Sequence, residues 1–160
     1  MKFEHLVEIN DILNPLADVI TREQLWRGLV LRAESPKLFV SYLDEAAIMD
    51  CTETSMTRTL KYGELTVTDR VSFVHLEHVH YDVAAQNDIP QSSLRMSIEE
   101  PQPGSLFVRF CYDNGQTAEQ DAENAMYDEY RRSAYLEADV DTIRMIRELA
   151  ESGRLDALPS

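Results

Sequence analysis

The chain is short of the residues that usually announce a chemistry. It has two cysteines, Cys51 and Cys111, without a CxxC spacing, which argues against a disulfide framework and against a thiolate zinc site. Its five glycines form no GxGxxG or GxxxxGK[ST] loop, and HExxH and GxSxG are absent. Nucleotide-dependent and metallohydrolase chemistry therefore lose their main support, and no cofactor is expected. No apolar run approaches the roughly 20 residues that span a bilayer. The opening MKFEHLVEIN alternates and carries charge, unlike a secretory signal. Positive charge is also scarce. Lys and Arg number 15 against 29 Asp and Glu, a net charge of −14. That average field repels polyanions, so nucleic acid and anionic membrane are poor partners, and a cytoplasmic protein is expected.

What is present is enough for one domain over residues 1–160. Hydrophobic residues make up 44% and charged residues 28%, within the globular range. In KFEHLVEIN, residues 2–10, Phe3, His5, Val7 and Ile9 face one side of a half-buried strand. Glu4, Glu8 and Asn10 face the other, with Leu6 the exception. Thr21 with Gln24 forms a capping box, and Leu25, Trp26, Leu29, Val30 and Ala33 follow at helical spacing. Pro36 ends that helix near Ser35 and opens a short second one. Strands are expected at 44–52, 55–62, 65–73, 78–85, 93–99 and 105–113, joined as an antiparallel meander. Residues 116–152 read as one long helix, with Asp139 and Asp141 as caps of a restart, a kink near 138–141 and a stop at Gly153.

Strand parity exposes an anomaly in RTLKYGELTVTDRV, residues 58–71. A two-residue loop at Gly63-Glu64 sets Tyr62 against Leu65, Leu60 against Val67, Arg58 against Asp69 and Met56 against Val71. Arg58 and Asp69 thus share the apolar face. A pair packed among hydrophobes is no better than an apolar isostere, whereas one beside a wet or ligand-filled space serves as a polar anchor. An ion pair half in solvent at the end of the sheet is the alternative. On the same face, Phe73 is expected opposite Val79, Val71 opposite Tyr81 and Asp69 opposite Val83. Leu94, Met96 and Ile98 are expected to oppose Phe110, Val108 and Leu106. The wall is aliphatic and aromatic, with hydroxyls from Tyr62, Tyr81 and Tyr112. That suits an apolar ligand fixed by a few hydrogen bonds, or a plain packed core. Trp26 belongs to the core or caps the mouth of a cavity. Glu129, Tyr130 and Arg132 either reach into the hollow or form a solvated helix flank. His78 and His80 are expected to face solvent, and no third ligand completes a metal site there.

This order of elements resembles the helix-grip fold of the SRPBCC superfamily, which includes START domains, polyketide cyclases and birch-pollen-allergen-like proteins. The stretches KFEHLVEIND, TREQLWRGLVLRAESPKLF, LKYGELTVTDRV and SAYLEADVDTIRMIRELAESGRL resemble its AtaL-like branch, of largely unassigned function. The resemblance implies an α+β fold, a curved antiparallel sheet of about seven strands around a long C-terminal helix. It also implies a hydrophobic cavity between them for lipids, polyketides or other aromatics. Strand register would line that cavity with Arg58, Asp69, Tyr62, Val67, Val71, Phe73, Tyr81, Met96, Val108 and Phe110. Trp26, Glu129 and Tyr130 join from the helices. For cyclase chemistry Arg58 would anchor an oxyanion or carboxylate, with Asp69, Tyr81 or His5 carrying protons. The expected function is binding of a small hydrophobic ligand. A cyclase or aromatase-like enzyme in the same cavity and a ligand-free interaction protein are the alternatives. A homodimer remains open.

Overall fold

The computed structural model describes residues 1–11, 13 and 18–156. Seven strands form one antiparallel sheet: β1 (Lys2–Glu8), β2 (Glu45–Met49), β3 (Ser55–Tyr62), β4 (Leu65–Val74), β5 (His78–Val83), β6 (Ser92–Gln102) and β7 (Ser105–Asp113). Their order across the sheet is β1-β7-β6-β5-β4-β3-β2. The first helix, α1 (Arg22–Glu34), begins at the expected capping box. Thr21 Oγ1 accepts from the Gln24 amide at 3.1 Å, and Gln24 Oε1 accepts from the Thr21 amide at 2.9 Å. A single 3-10 turn, Pro36–Leu38, follows.

The long helical segment is divided, though not where its aspartates suggest. A short α2 (Ala118–Glu123), capped by Thr117 and Gln120, ends at Asn124. Then α3 runs from Ala125 to Glu151 through residues 138–141 without interruption. Asp139 is no cap; it is fully buried on the face that meets the sheet. Asp141 lies on the surface and pairs with Arg144 at 2.7 Å. The positive φ of Gly153, 80°, lies just past the helix end.

Register follows parity closely. All four pairs expected in the β3/β4 hairpin form, around Gly63 at φ 60°. Phe73 faces Val79 and Val71 faces Tyr81, while β4/β5 pairing ends at Arg70 and Asp82, short of Asp69 and Val83. The β6/β7 register is shifted by two residues from the expected one. Met96 opposes Phe110, Ile98 opposes Val108, and Leu94 opposes Tyr112. The turn is only Pro103-Gly104, so Gln102 pairs with Ser105. That alone would set odd residues against even ones. A bulge between Glu99 and Gln102 removes the mismatch and returns Met96 and Phe110 to one face. Asn10 also departs from alternation, because β1 ends at Glu8. It turns inward, its Nδ2 donating to the Ile20 carbonyl at 2.7 Å while its Oδ1 accepts from the Ile20 amide at 3.0 Å.

One face of the sheet is covered by α1 and α3. Leu25, Leu29 and Ala33 of α1 pack with Ile143, Ile146 and Leu149 of α3 over Val71, Val79, Met96, Val108 and Phe110. The helices meet closely at Gly28, where an added Cβ would lie 2.7 Å from Ile146 Cγ2.

Candidate functional site

The inner face changes character over one step along the strands. One rung reads Phe73, Val79, Met96, Phe110 and His5 across β4, β5, β6, β7 and β1. The next reads Val71, Tyr81, Leu94, Tyr112 and Phe3. The helices change in parallel. On α1, Leu25 and Leu29 give way to Arg32; on α3, Leu149 and Ile146 give way to Thr142, Asp139 and Tyr135. A hollow of about 340 Å³ opens where the polar residues begin. Its apolar wall includes Leu60, Val67, Val83, Ile89 and Leu94. Its polar groups come from Arg32, Arg58, Asp69, Tyr62, Tyr81, Tyr112, Asp113 and Tyr135. A second, amide-rich hollow of about 510 Å³ shares Ile89, Ser92, Asn114 and Tyr135 with it.

Arg58 and Asp69 are both buried and form a two-pronged pair. Nε donates to Oδ1 at 2.9 Å and Nη2 to Oδ2 at 2.5 Å, while Nη1 donates to the Ala33 carbonyl at 3.1 Å. The charge is neutralised in place. Arg32 is held differently. Its one hydrogen bond among the described residues is a long one, Nε to Thr142 Oγ1 at 3.4 Å. Burial opposes its charge, but Tyr81, Tyr112 and Asp139 more than offset that, and its pKa is raised.

Two guanidiniums approach the Tyr81 ring, Arg58 at 5.0 Å and Arg32 at 5.1 Å from its centroid. Only 4% of the residue is exposed, and its hydroxyl has no hydrogen-bond partner among the described residues. Arg32 lies near enough to that hydroxyl for it to help raise the guanidinium pKa, but no hydrogen bond of sound geometry joins the two. Buried hydroxyls are normally paired, so this one is an exception on a cavity wall.

Behind the opposite wall, Asp139 accepts from the Tyr112 hydroxyl at 2.5 Å and lies 2.7 Å from His5 Nε2. Burial raises the Asp139 pKa, against the pull of Tyr112, His5 and Arg32. Burial also raises that of Tyr112, reinforced by the Asp139 charge, so the phenol stays protonated. Tyr135 stacks on Tyr112 with centroids 3.9 Å apart and planes 7° apart, at the junction of the two hollows.

Of the residues expected to line the cavity, Arg58, Tyr62, Val67, Asp69 and Tyr81 do so. Val71, Met96, Val108 and Phe110 face the same side but are packed solid in the adjoining core. Trp26 and Phe73 meet edge to face at 6.4 Å and line a separate recess of about 210 Å³ beside His75. Glu129 and Tyr130 lie on the exposed side of α3, Tyr130 at 78% exposure, and Glu129 pairs there with Arg132 at 3.7 Å. His5 lies outside the hollow, linked to it through Asp139 and Tyr112. Arg32, Asp139 and Tyr135 escaped the sequence reading. Their signal was phase: Arg32 follows Leu25 and Leu29 on the inner face of α1, and Asp139 precedes Ile143 and Ile146 on that of α3.

Residues 7–153 match the AtaL family, described as acetylaranotin biosynthesis cluster protein L. The chain belongs to the AtaL family. Solved structures share the helix-grip fold of this AtaL-family chain. The aromatase/cyclase ZhuI from Streptomyces sp. R1128 is 12% identical with a TM-score of 0.62, over 94% of this chain and 93% of that one. The di-domain aromatase/cyclase StfQ of the steffimycin biosynthetic pathway is 9% identical with a TM-score of 0.67; 96% of this chain covers 51% of that protein. The chain therefore spans about half the length of the di-domain protein. Ara h 8.0201 is 11% identical with a TM-score of 0.55, over 95% of this chain and 98% of that one. These likenesses carry the fold. No curated protein matches this chain. Among the described residues no helix is long and apolar enough to cross a membrane, and no cluster of His, Cys, Asp and Glu is arranged to hold a metal.

Proposed function

We propose that this AtaL-family protein binds a small apolar or aromatic molecule, of lipid or polyketide character, in the hollow between sheet and α3. The observation that carries the reading is the hollow itself. At about 340 Å³ it falls within the ~300–1,000 Å³ range of small-molecule sites. Its aliphatic wall supplies apolar contact, and a few convergent polar groups fix orientation. Ligand-free packing of this end would instead have filled the space, as it does one rung away at Met96 and Phe110.

A cyclase reading is favoured by one arrangement. The Tyr112 hydroxyl, the Asp139 carboxylate and the His5 ring form a hydrogen-bonded row leading from the cavity wall. Such a row accepts or delivers a proton at a bound molecule without exposing it to bulk water. The aromatase/cyclase names of ZhuI and StfQ support the same reading by fold alone. In it Tyr112 touches the substrate, and Asp139 and His5 act through it. Asp69, tied two-pronged to Arg58, is a poorer proton carrier than sequence reasoning expected.

Native mass spectrometry of protein purified gently from its own source tests the binding reading. A retained small molecule of constant mass, lost on denaturation, is expected. Repeated preparations without one, together with no thermal shift across a panel of aromatic compounds, would argue for an unliganded role.

A further inference from the structure

The two arginines of the hollow are not equivalent, and the difference bears on what the hollow takes. Arg58 spends its charge on Asp69 and its remaining donor nitrogen on the Ala33 carbonyl. Arg32 has one long bond to a neutral hydroxyl. Beside it, the Tyr81 hydroxyl is buried with no partner. Both groups line the same cavity, and both contribute hydrogen-bond donors. The other charged groups around the space are accounted for. Asp69 is paired with Arg58, and Asp139 is bonded to Tyr112 and His5 behind the wall. Asp113 lies half-buried at the rim, with its Oδ1 accepting from the Gly115 amide at 2.9 Å.

We propose that the ligand is an acid: an apolar or aromatic molecule whose single carboxylate is received by Arg32 and the Tyr81 hydroxyl. This inference rests on the binding reading above and narrows it. A half-buried guanidinium with no carboxylate in ion-pair contact among the described residues, and a buried phenol without an acceptor, each carry an unmet demand. One carboxylate, with two oxygens, meets both. Its apolar body then lies along Leu60, Val67 and Leu94. The anchor is Arg32 on α1, not Arg58 on the sheet. Arg58 acts as a strut that holds Tyr81 and the floor of the site in place. The global charge of −14 works against any anion, so selectivity for an acid is a local property of this site and not of the protein's surface.

Isothermal titration with a matched pair of probes, 2-naphthoate and neutral 2-naphthamide, tests this. The wild-type chain is expected to bind the carboxylate about ten-fold or more tightly than the amide, the scale of a charge-assisted contact. Arg32→Met is expected to bring the two affinities together, with the larger loss on the carboxylate. Tyr81→Phe deletes a single oxygen and keeps the ring, so it tests the site without endangering the fold. It is expected to lower the preference several-fold. Equal binding of both probes by the wild type, or an undiminished preference in Arg32→Met or Tyr81→Phe, would overturn the acid proposal and leave the apolar-site reading standing. Binding of neither probe would remove both.

Discussion

The two ends of the sheet–helix interface are built from the same elements and behave differently. At one end, Leu25 and Leu29 of α1, Ile146 and Leu149 of α3, and Met96, Val108 and Phe110 of the sheet leave no room for solvent or ligand. At the other, each element offers a polar side chain instead: Arg32, Asp139, Tyr112, Tyr81, and the Arg58–Asp69 pair. The difference shows where the chain spends stability. The packed end gains from apolar burial and close contact. The open end buries charges whose desolvation offsets much of their attraction. A fold that needed only a core would have continued the first pattern.

The contrast is broken most severely by single truncations at either end, for opposite reasons. Phe110→Ala removes fully buried ring contacts and is expected to cost about 3–5 kcal/mol. Asp69→Ala leaves Arg58 buried and unpaired and is expected to cost about 3–5 kcal/mol as well. Only the second loss is repaired by changing the partner. The double replacement Arg58→Met, Asp69→Leu should return most of the stability measured by urea denaturation, while abolishing the geometry around Tyr81. Next in size is overpacking at the closed end. Gly28→Ala places a methyl 2.7 Å from Ile146 Cγ2 and is expected to cost about 1–3 kcal/mol in the same assay.

A pH series sharpens the comparison at the open end. Burial holds the Asp139 carboxyl above its ordinary value of 3.8, despite the hydrogen bonds from Tyr112 and His5 and the nearby Arg32 charge. The folded chain therefore binds that proton more tightly than the unfolded chain. The stability it contributes is complete below 3.8 and is lost as pH rises through the raised value. Asp139→Asn removes the titration. The stability of the wild type minus that of the variant should thus fall with rising pH across this window and then level off. A difference that rises through the same window would show the carboxyl depressed instead. The smallest effect belongs to Tyr81→Phe. Removing an unpartnered buried oxygen should leave stability unchanged or raise it by up to about 1 kcal/mol. A loss above that size would reveal a hydrogen bond within the protein to that hydroxyl.

The parts of this arrangement that sequence discloses are those governed by local counting. Alternation with a two-residue turn is enough to set Arg58 against Asp69 and to aim both inward, because a strand has only two faces. The β6/β7 hairpin resists the same counting. Its bulge between Glu99 and Gln102 holds Pro101, a residue that marks a bulge and the start of a turn equally well, so the register shift cannot be counted from it. The helices hide more. Asp139 resembles a cap when read by residue type, yet its phase with Ile143 and Ile146 puts it inside. Arg32 looks like an ordinary helix charge until its phase with Leu25 and Leu29 is followed. Glu129 and Tyr130 sit beside Ala125 and Leu136 in the sequence pattern, which leaves both the hollow and a solvated flank open to them, and the structure has them on the flank. The break at Asn124 starts α3 afresh, and Met126, Tyr127 and Tyr130 face out while Asp128 turns in to meet Arg131 at 2.9 Å. Partners distant in sequence, such as His5 for Asp139 across 134 positions, have no local signature at all.

Backbone amide chemical shifts of isotope-labelled protein, followed during titration with 2-naphthoate, test the division of the interface most directly. Perturbations concentrated at Arg32, Arg58, Tyr81, Leu94 and Tyr112, with Leu25, Val108 and Leu149 unmoved, are the predicted result. Perturbations confined to the outer face of α3 around Met126 and Tyr130, or spread evenly over both ends, would contradict a ligand site in the hollow.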